Sequence, residues 1–162
     1  RGRSVALLKT RVLSALVMIP IVFAAAYMGG FWLFALMAVA LSLAAWEFVA
    51  MMHKGSFRPE RVSIYAALFS MLILFQWQLD SYLPLVLTAL FILTLTWQLL
   101  LQGRTTPTAD WALALAMGLY LGWMGGHFLR IRALPGDGFK WLAVAMLCVW
   151  ISDSGAADGS VR

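Results

Sequence analysis

The stretch Trp150-Ile151-Ser152-Asp153-Ser154-Gly155-Ala156 sets a carboxylate between two hydroxyls and next to a position without a side chain, at the end of an apolar run. Such a set can approach a phosphate, and it can contribute to the all-oxygen shell that magnesium prefers. Ser152, Asp153, Ser154 and Gly155 are therefore the candidate substrate-binding residues, with Asp153 the candidate metal ligand. The 11 apolar residues from Trp141 to Ile151 make about 16 Å of helix. If that helix continues, Asp153 lies within the membrane, where a carboxylate costs a few kcal/mol or more unless it faces a polar cavity, a cation or a partner. If the run stops at Ile151, Asp153 sits at the interface.

Glu47 is a second carboxylate in an apolar stretch, about one turn before the run ends at Met52. It either snorkels to the interface or pairs with Lys54 or Arg61. His53, Lys54, Arg58, Glu60 and Arg61 form a small basic loop that reads as an orientation signal and can also touch anionic headgroups. His53 and His127 are isolated from other ligands at metal spacing, so no zinc site is expected. The single cysteine, Cys148, is expected to pack as a small hydrophobe. With no Gly-rich phosphate loop carrying a Lys and no nucleophile elbow, any catalysis here needs an intramembrane polar site.

The elements that must position these residues follow from composition. Of the 162 residues 63% are hydrophobic and only 12% charged, and the mean hydropathy is +0.87. This excludes a soluble domain and a disordered chain, and indicates an integral membrane protein. The net charge of +5 is split into short segments between apolar runs, which argues against a nucleic-acid partner and for a role in topology. Five apolar runs (Val12 to Met28, Phe31 to Met52, Ser63 to Leu79, Leu83 to Leu101, Trp111 to Phe128) and a sixth from near Trp141 predict an all-α polytopic bundle of about six membrane segments. The expected organisation is a basic segment at 1–11, a transmembrane domain at 12–156 and a divergent end at 157–162.

Gly29-Gly30 predicts a tight hairpin, residues 80–84 a second short turn, and Pro20 a bend near Met18 and Ile19. Gly118, Gly122, Gly125 and Gly126 mark a side of the fifth run that allows close helix packing. Trp32, Trp77, Trp111 and Trp141 lie near span ends and read as interfacial anchors. Counted on alternate sides, nine Lys and Arg fall on the N-terminal side and three (Arg130, Arg132, Lys140) on the other, which puts the N-terminus in the cytoplasm. The three dissenters mean either that the fifth run does not cross fully or that Arg130 and Arg132 prolong a helix into the headgroups.

Leu8-Lys9-Thr10-Arg11-Val12 leading to Ala15, then Ile19-Pro20-Ile21-Val22 and Ala45-Trp46-Glu47-Phe48, open a recognisable series. It continues through Gly118-Leu119-Tyr120, Leu129-Arg130 and Gly138 to Trp141, and ends in Val149 to Ala156. In residues and order this series resembles bacterial phosphatidate cytidylyltransferases, the CDP-diacylglycerol synthases. The resemblance implies a magnesium-dependent enzyme of the bacterial inner membrane that makes CDP-diacylglycerol and pyrophosphate from CTP and phosphatidate. By the same resemblance Asp153 lines the cavity that receives nucleotide phosphates and Mg2+. Membrane lipids are implied as partners, with a homodimer left open.

The chain departs from the family after Ala156. In place of an aromatic residue, two further residues, a Gly and a basic residue, it reads Ala157-Asp158-Gly159-Ser160-Val161-Arg162. The Ser-Pro-Lys-Lys-Thr stretch and the Lys-Asp, His-Gly-Gly and Asp-Arg signatures that hold most of the family's ligands do not follow. The expectation is therefore a family N-terminal portion without catalytic residues of its own, inactive by itself. Two other classes stay open: a small transporter or channel subunit in which Asp153 and Glu47 carry ions, and a membrane scaffold without a small-molecule site.

Overall fold

The computed structural model describes residues 18–55, 57–101 and 106–159, with residues 153–159 described as backbone alone. The predicted basic segment at 1–11 and the start of the first run lie outside the described residues. Pro20 is the third described residue, so the partner carbonyl that would show its predicted bend is outside them too. The described elements are helices, with no strand among them: α1 (Met18–Met28), α2 (Gly30–Lys54), α3 (Arg61–Gln76), a short 3-10 turn (Asp80–Tyr82), α4 (Leu83–Leu100), α5 (Pro107–Arg132) and α6 (Gly138–Gly159). Three stretches, Gly30–Lys54, Asp80–Leu100 and Pro107–Arg132, are long and apolar enough to cross a membrane. The chain forms two compact units, one of Phe34–Arg130 and one of Arg1–Leu33 with Ile131–Arg162.

In the unit of Phe34–Arg130 the core is the seam between α3 and α5. The buried residues of α3 include Ile64, Ala67, Leu68, Met71, Leu72 and Phe75, a stripe at helical spacing. On α5 the matching stripe is Asp110, Ala114, Gly118, Gly122, Gly125 and Gly126. A Cβ on Gly118 would stand 2.5 Å from the carbonyl oxygen of Ile64, and one on Gly122 would stand 2.8 Å from that of Leu68. The two backbones therefore touch, as small residues permit in membranes, where dispersion contacts replace the hydrophobic effect between helices. Gly118 faces Ile64, Gly122 faces Leu68 and Gly126 faces Phe75, so the helices run parallel, and α4 must return between them. The indole N–H of Trp111, at the start of α5, donates to Thr94 Oγ1 near the end of α4 at 2.9 Å, which fixes that antiparallel register. The predicted close packing of the Gly stripe is thus the organising contact of this unit.

Three sequence boundaries shift for identifiable reasons. Helix α5 starts four residues before Trp111, because Pro107 takes the first helical position, where its missing N–H is no loss. It continues through Arg130 and Arg132, as one of the two alternatives for those charges required. The turn before α4 tightens into the 3-10 segment, with Gln78 at φ 54° absorbing the reversal. At the other predicted turn, Gly29 alone stands between α1 and α2, with φ +65° at Gly29 and +48° at Gly30.

Two side chains depart from expectation. Trp111 is half-buried and pins α4 instead of anchoring at the boundary, because an indole N–H inside a helix bundle takes the nearest hydroxyl. Trp32, Trp77 and Trp141 are exposed. Cys148 is exposed as well, on the outer apolar face of α6 with Val144, Leu147 and Ile151, so it does not pack inside.

Candidate functional site

Helix α6 runs without interruption through Ser152, Asp153, Ser154 and Gly155 to Gly159. Asp153 is thus helical and lies about 22 Å along the axis from Gly138. This is the continuing-helix alternative of the sequence reading. Ser152 is exposed, while the side chains of Asp153 and Ser154 lie outside the described ones.

The unit of Arg1–Leu33 and Ile131–Arg162 holds this helix end against α1. Phe23 meets Trp150 edge-on with ring centroids 5.8 Å apart, and Tyr27 meets Phe139 at 5.6 Å, so α1 and α6 are antiparallel. Asp153, one turn beyond Trp150, therefore lies toward the end of α1 that the basic segment precedes in sequence. At the opposite end Arg132 closes the unit: Nε donates to the carbonyl of Ala26 at 2.6 Å and Nη2 to that of Tyr27 at 2.8 Å. A cation on the last carbonyls of a helix satisfies acceptors that have no intrahelical donor and complements the dipole. Gly29 makes room for it, since a Cβ there would stand 2.9 Å from Arg132 Cζ.

All three cations that break the charge bias have such local employment. Arg130 pairs with Asp80 and lies over the ring of Phe75 at 5.4 Å, Arg132 caps α1, and Lys140 pairs with Asp137 at 2.6 Å.

The second polar region lies where α3 begins, α4 ends and α5 begins. Glu60 caps α3 by accepting from the Ser63 N–H at 2.9 Å and from its hydroxyl at 3.4 Å. Asp110, 2% exposed, accepts from the backbone N–H of Arg58 at 2.7 Å and from Thr106 Oγ1 at 3.5 Å. The sequence reading left Asp110 in a connection, although an acid shortly after a helix-starting Pro is a first-turn signal. Gln98, one turn beyond Thr94, is likewise unmarked by sequence pattern, yet it is 2% exposed and neither of its amide atoms has a partner among the described residues. Glu47 is exposed on α2, and among the described residues no ion pair joins it to Lys54 or Arg61.

The unpartnered amide yields a prediction. Burying a polar group without a hydrogen bond costs about 1–3 kcal/mol, so Gln98→Leu should stabilise the protein by about 1–2 kcal/mol in a denaturation titration in mixed micelles. A loss of stability would show instead that the amide is hydrogen-bonded in the folded protein.

Among the described residues no group of three or more His, Cys, Asp or Glu could hold a metal ion. Magnesium often binds through only one or two carboxylates, with waters and substrate phosphates completing the shell.

The family model described as "Cytidylyltransferase family" matches residues 9–157, which takes in Ser152 to Gly155 and every helix up to α6. The chain belongs to the cytidylyltransferase family. Comparison with curated proteins gives no match, and neither does comparison with solved structures. For a cytidylyltransferase-family member, helices able to cross a membrane agree with a membrane-bound nucleotidyltransferase.

Proposed function

We propose that this chain serves cytidylyl transfer from CTP to phosphatidate, a lipid phosphate monoester, at the end of α6 marked by Ser152, Asp153, Ser154 and Gly155. The observation that carries this reading is the family match over residues 9–157 with an uninterrupted helix beneath the Trp-x-Ser-Asp-Ser-Gly-Ala string. In the reaction an oxygen of the lipid phosphate attacks the α-phosphorus of CTP. The bond to the bridging oxygen breaks, pyrophosphate leaves, and CDP-diacylglycerol remains in the bilayer.

Asp153 would hold Mg2+, which when bound offsets the crowding of negative charge as the two phosphates meet. Ser152 and Ser154 offer hydroxyl donors to phosphate oxygens, and Gly155 leaves the backbone approachable. The α1–α6 pairing through Phe23 and Trp150 holds this helix end in place. One carboxylate is a small share of what a triphosphate beside a second phosphate requires. Nucleotide binding is therefore the first property to measure, and turnover by this chain alone should be low.

Calorimetric titration of the detergent-solubilised protein with CTP and Mg2+ tests the reading. Binding should be measurable and should weaken at least tenfold in Asp153→Asn, with the thermal unfolding curve unchanged. A folded wild-type protein that binds no CTP, or an Asp153→Asn variant that binds it equally well, would overturn the assignment.

A further inference from the structure

Arg132, the last residue of α5, touches both the end of α1 and the start of α6, all within one compact unit. Its guanidinium donates to two successive carbonyls of α1, from Nε to Ala26 at 2.6 Å and from Nη2 to Tyr27 at 2.8 Å. Across the Gly29 turn the backbone N–H groups bond instead to the carbonyls of Ala25 and Gly29, which leaves those of Ala26 and Tyr27 to Arg132. The main chain of Arg132 meets α6: a Cβ on Gly138, the first residue of that helix, would collide with the Arg132 carbonyl oxygen and stand 2.9 Å from its carbon. Gly29 and Gly138 are thus both spaces kept for one residue, the first for its side chain and the second for its backbone.

The connection from Arg132 to α6 has little slack. The N–H of Leu134 bonds to the Ile131 carbonyl at 3.3 Å, that of Asp137 to Pro135 at 3.2 Å and that of Trp141 to Asp137 at 3.1 Å, with Gly136 reversing the chain at φ +82°. The ring contacts hold α1 against α6 but leave its sliding position open. Phe23 and Tyr27 are four residues apart on α1, about 6 Å, whereas their partners Trp150 and Phe139 are eleven apart on α6, about 16 Å. Side chains take up that difference, and edge-on ring pairs form over centroid distances of about 4.5–7 Å. Two hydrogen bonds from a planar guanidinium are far more exacting.

We propose that Arg132 is the positioning residue for Ser152 to Gly155: by tying the last carbonyls of α1 to the start of α6 it fixes the register of the two helices, and with it where that segment stands beside α1. The functional half of this proposal rests on the reading of those residues as a nucleotide site, whereas the register does not. Lysine in its place keeps the charge, but as a point on a flexible stem that does not hold two carbonyls in one geometry.

Pulsed dipolar spectroscopy on the full chain in detergent tests the register at the end remote from Arg132, with nitroxides at Met18→Cys and Ile151→Cys in a Cys148→Ser background. Arg132→Lys should shift or broaden the distance distribution by about 1.5 Å or more, one residue of helix rise. Gly138→Ala, which presses on the Arg132 carbonyl and leaves the guanidinium in place, is the second variant and should do the same. In the unlabelled protein Arg132→Lys should weaken CTP binding in the presence of Mg2+ severalfold, although it lies at the opposite end of the unit from Asp153. A distance unchanged in both variants would reduce Arg132 to a helix cap and overturn the proposal, and so would a shifted distance with CTP affinity unchanged. If the wild type binds no CTP, the reading of residues 152–155 falls, and the distance still decides whether Arg132 sets the register.

Discussion

Leucine in place of Gly122 is expected to destabilise the protein by about 3 kcal/mol, and Gly118→Leu by at least as much. At Gly118 even a methyl group meets the Ile64 carbonyl oxygen at 2.5 Å, and at Gly122 it meets the Leu68 carbonyl at 2.8 Å. The obstacles are backbone atoms of a helix, not the far ends of flexible side chains, so relief requires α3 and α5 to separate along the seam. Separation forfeits the dispersion contacts of the whole stripe, which no hydrophobic term replaces inside a bilayer. Ala116→Leu, on the exposed face of the same helix, is the matched control and should change stability by no more than about 0.5 kcal/mol. Unfolding followed by circular dichroism in mixed dodecyl sulfate micelles separates the two. Equal midpoints for Gly122→Leu and Ala116→Leu would show that the seam does not hold the fold.

The second large effect belongs to Asp110. Its carboxylate is buried and accepts from the Arg58 N–H at 2.7 Å, tying the loop before α3 to the first turn of α5. Asp110→Ala removes the acceptor and leaves a backbone donor behind, a loss of about 2–3 kcal/mol for a charge-assisted bond in a poorly solvated position. Asp110→Asn keeps an oxygen acceptor without the charge and should lose about half as much. The same denaturation titration measures both. Identical losses for Ala and Asn would assign the effect to charge alone and not to the bond.

The helical class and the Gly stripe of α5 were legible because they depend on residue type repeated at a fixed period. Orientation rested on a count, and its three exceptions became intelligible only with their partners, Asp80, the Ala26 and Tyr27 carbonyls, and Asp137. Those contacts join residues up to 106 positions apart, as Arg132 and Ala26 are, and no local pattern announces them. Gln98 and Thr94 passed unnoticed because two polar residues in a long apolar run look like surface noise until burial is known. At the candidate site, the spacing of Ser152 to Gly155 left open whether the helix stops at Ile151, since Ser, Asp and Gly are all weak helix formers. The helix continues to Gly159, and its last described ring contact, Trp150 on Phe23, lies one turn before Asp153.

Helix α3 has 16 residues, about 24 Å of length against a hydrocarbon core of about 30 Å. Half of its residues are buried, mostly along the seam with α5. A segment this short is a poor candidate to settle in a bilayer as an independent helix. The glycines that receive it lie on α5, which leaves the ribosome some fifty residues later, after α4 has been made. The order of synthesis therefore leaves α3 without its packing partner until α5 has followed it out, so its place in the bilayer depends on a helix made later.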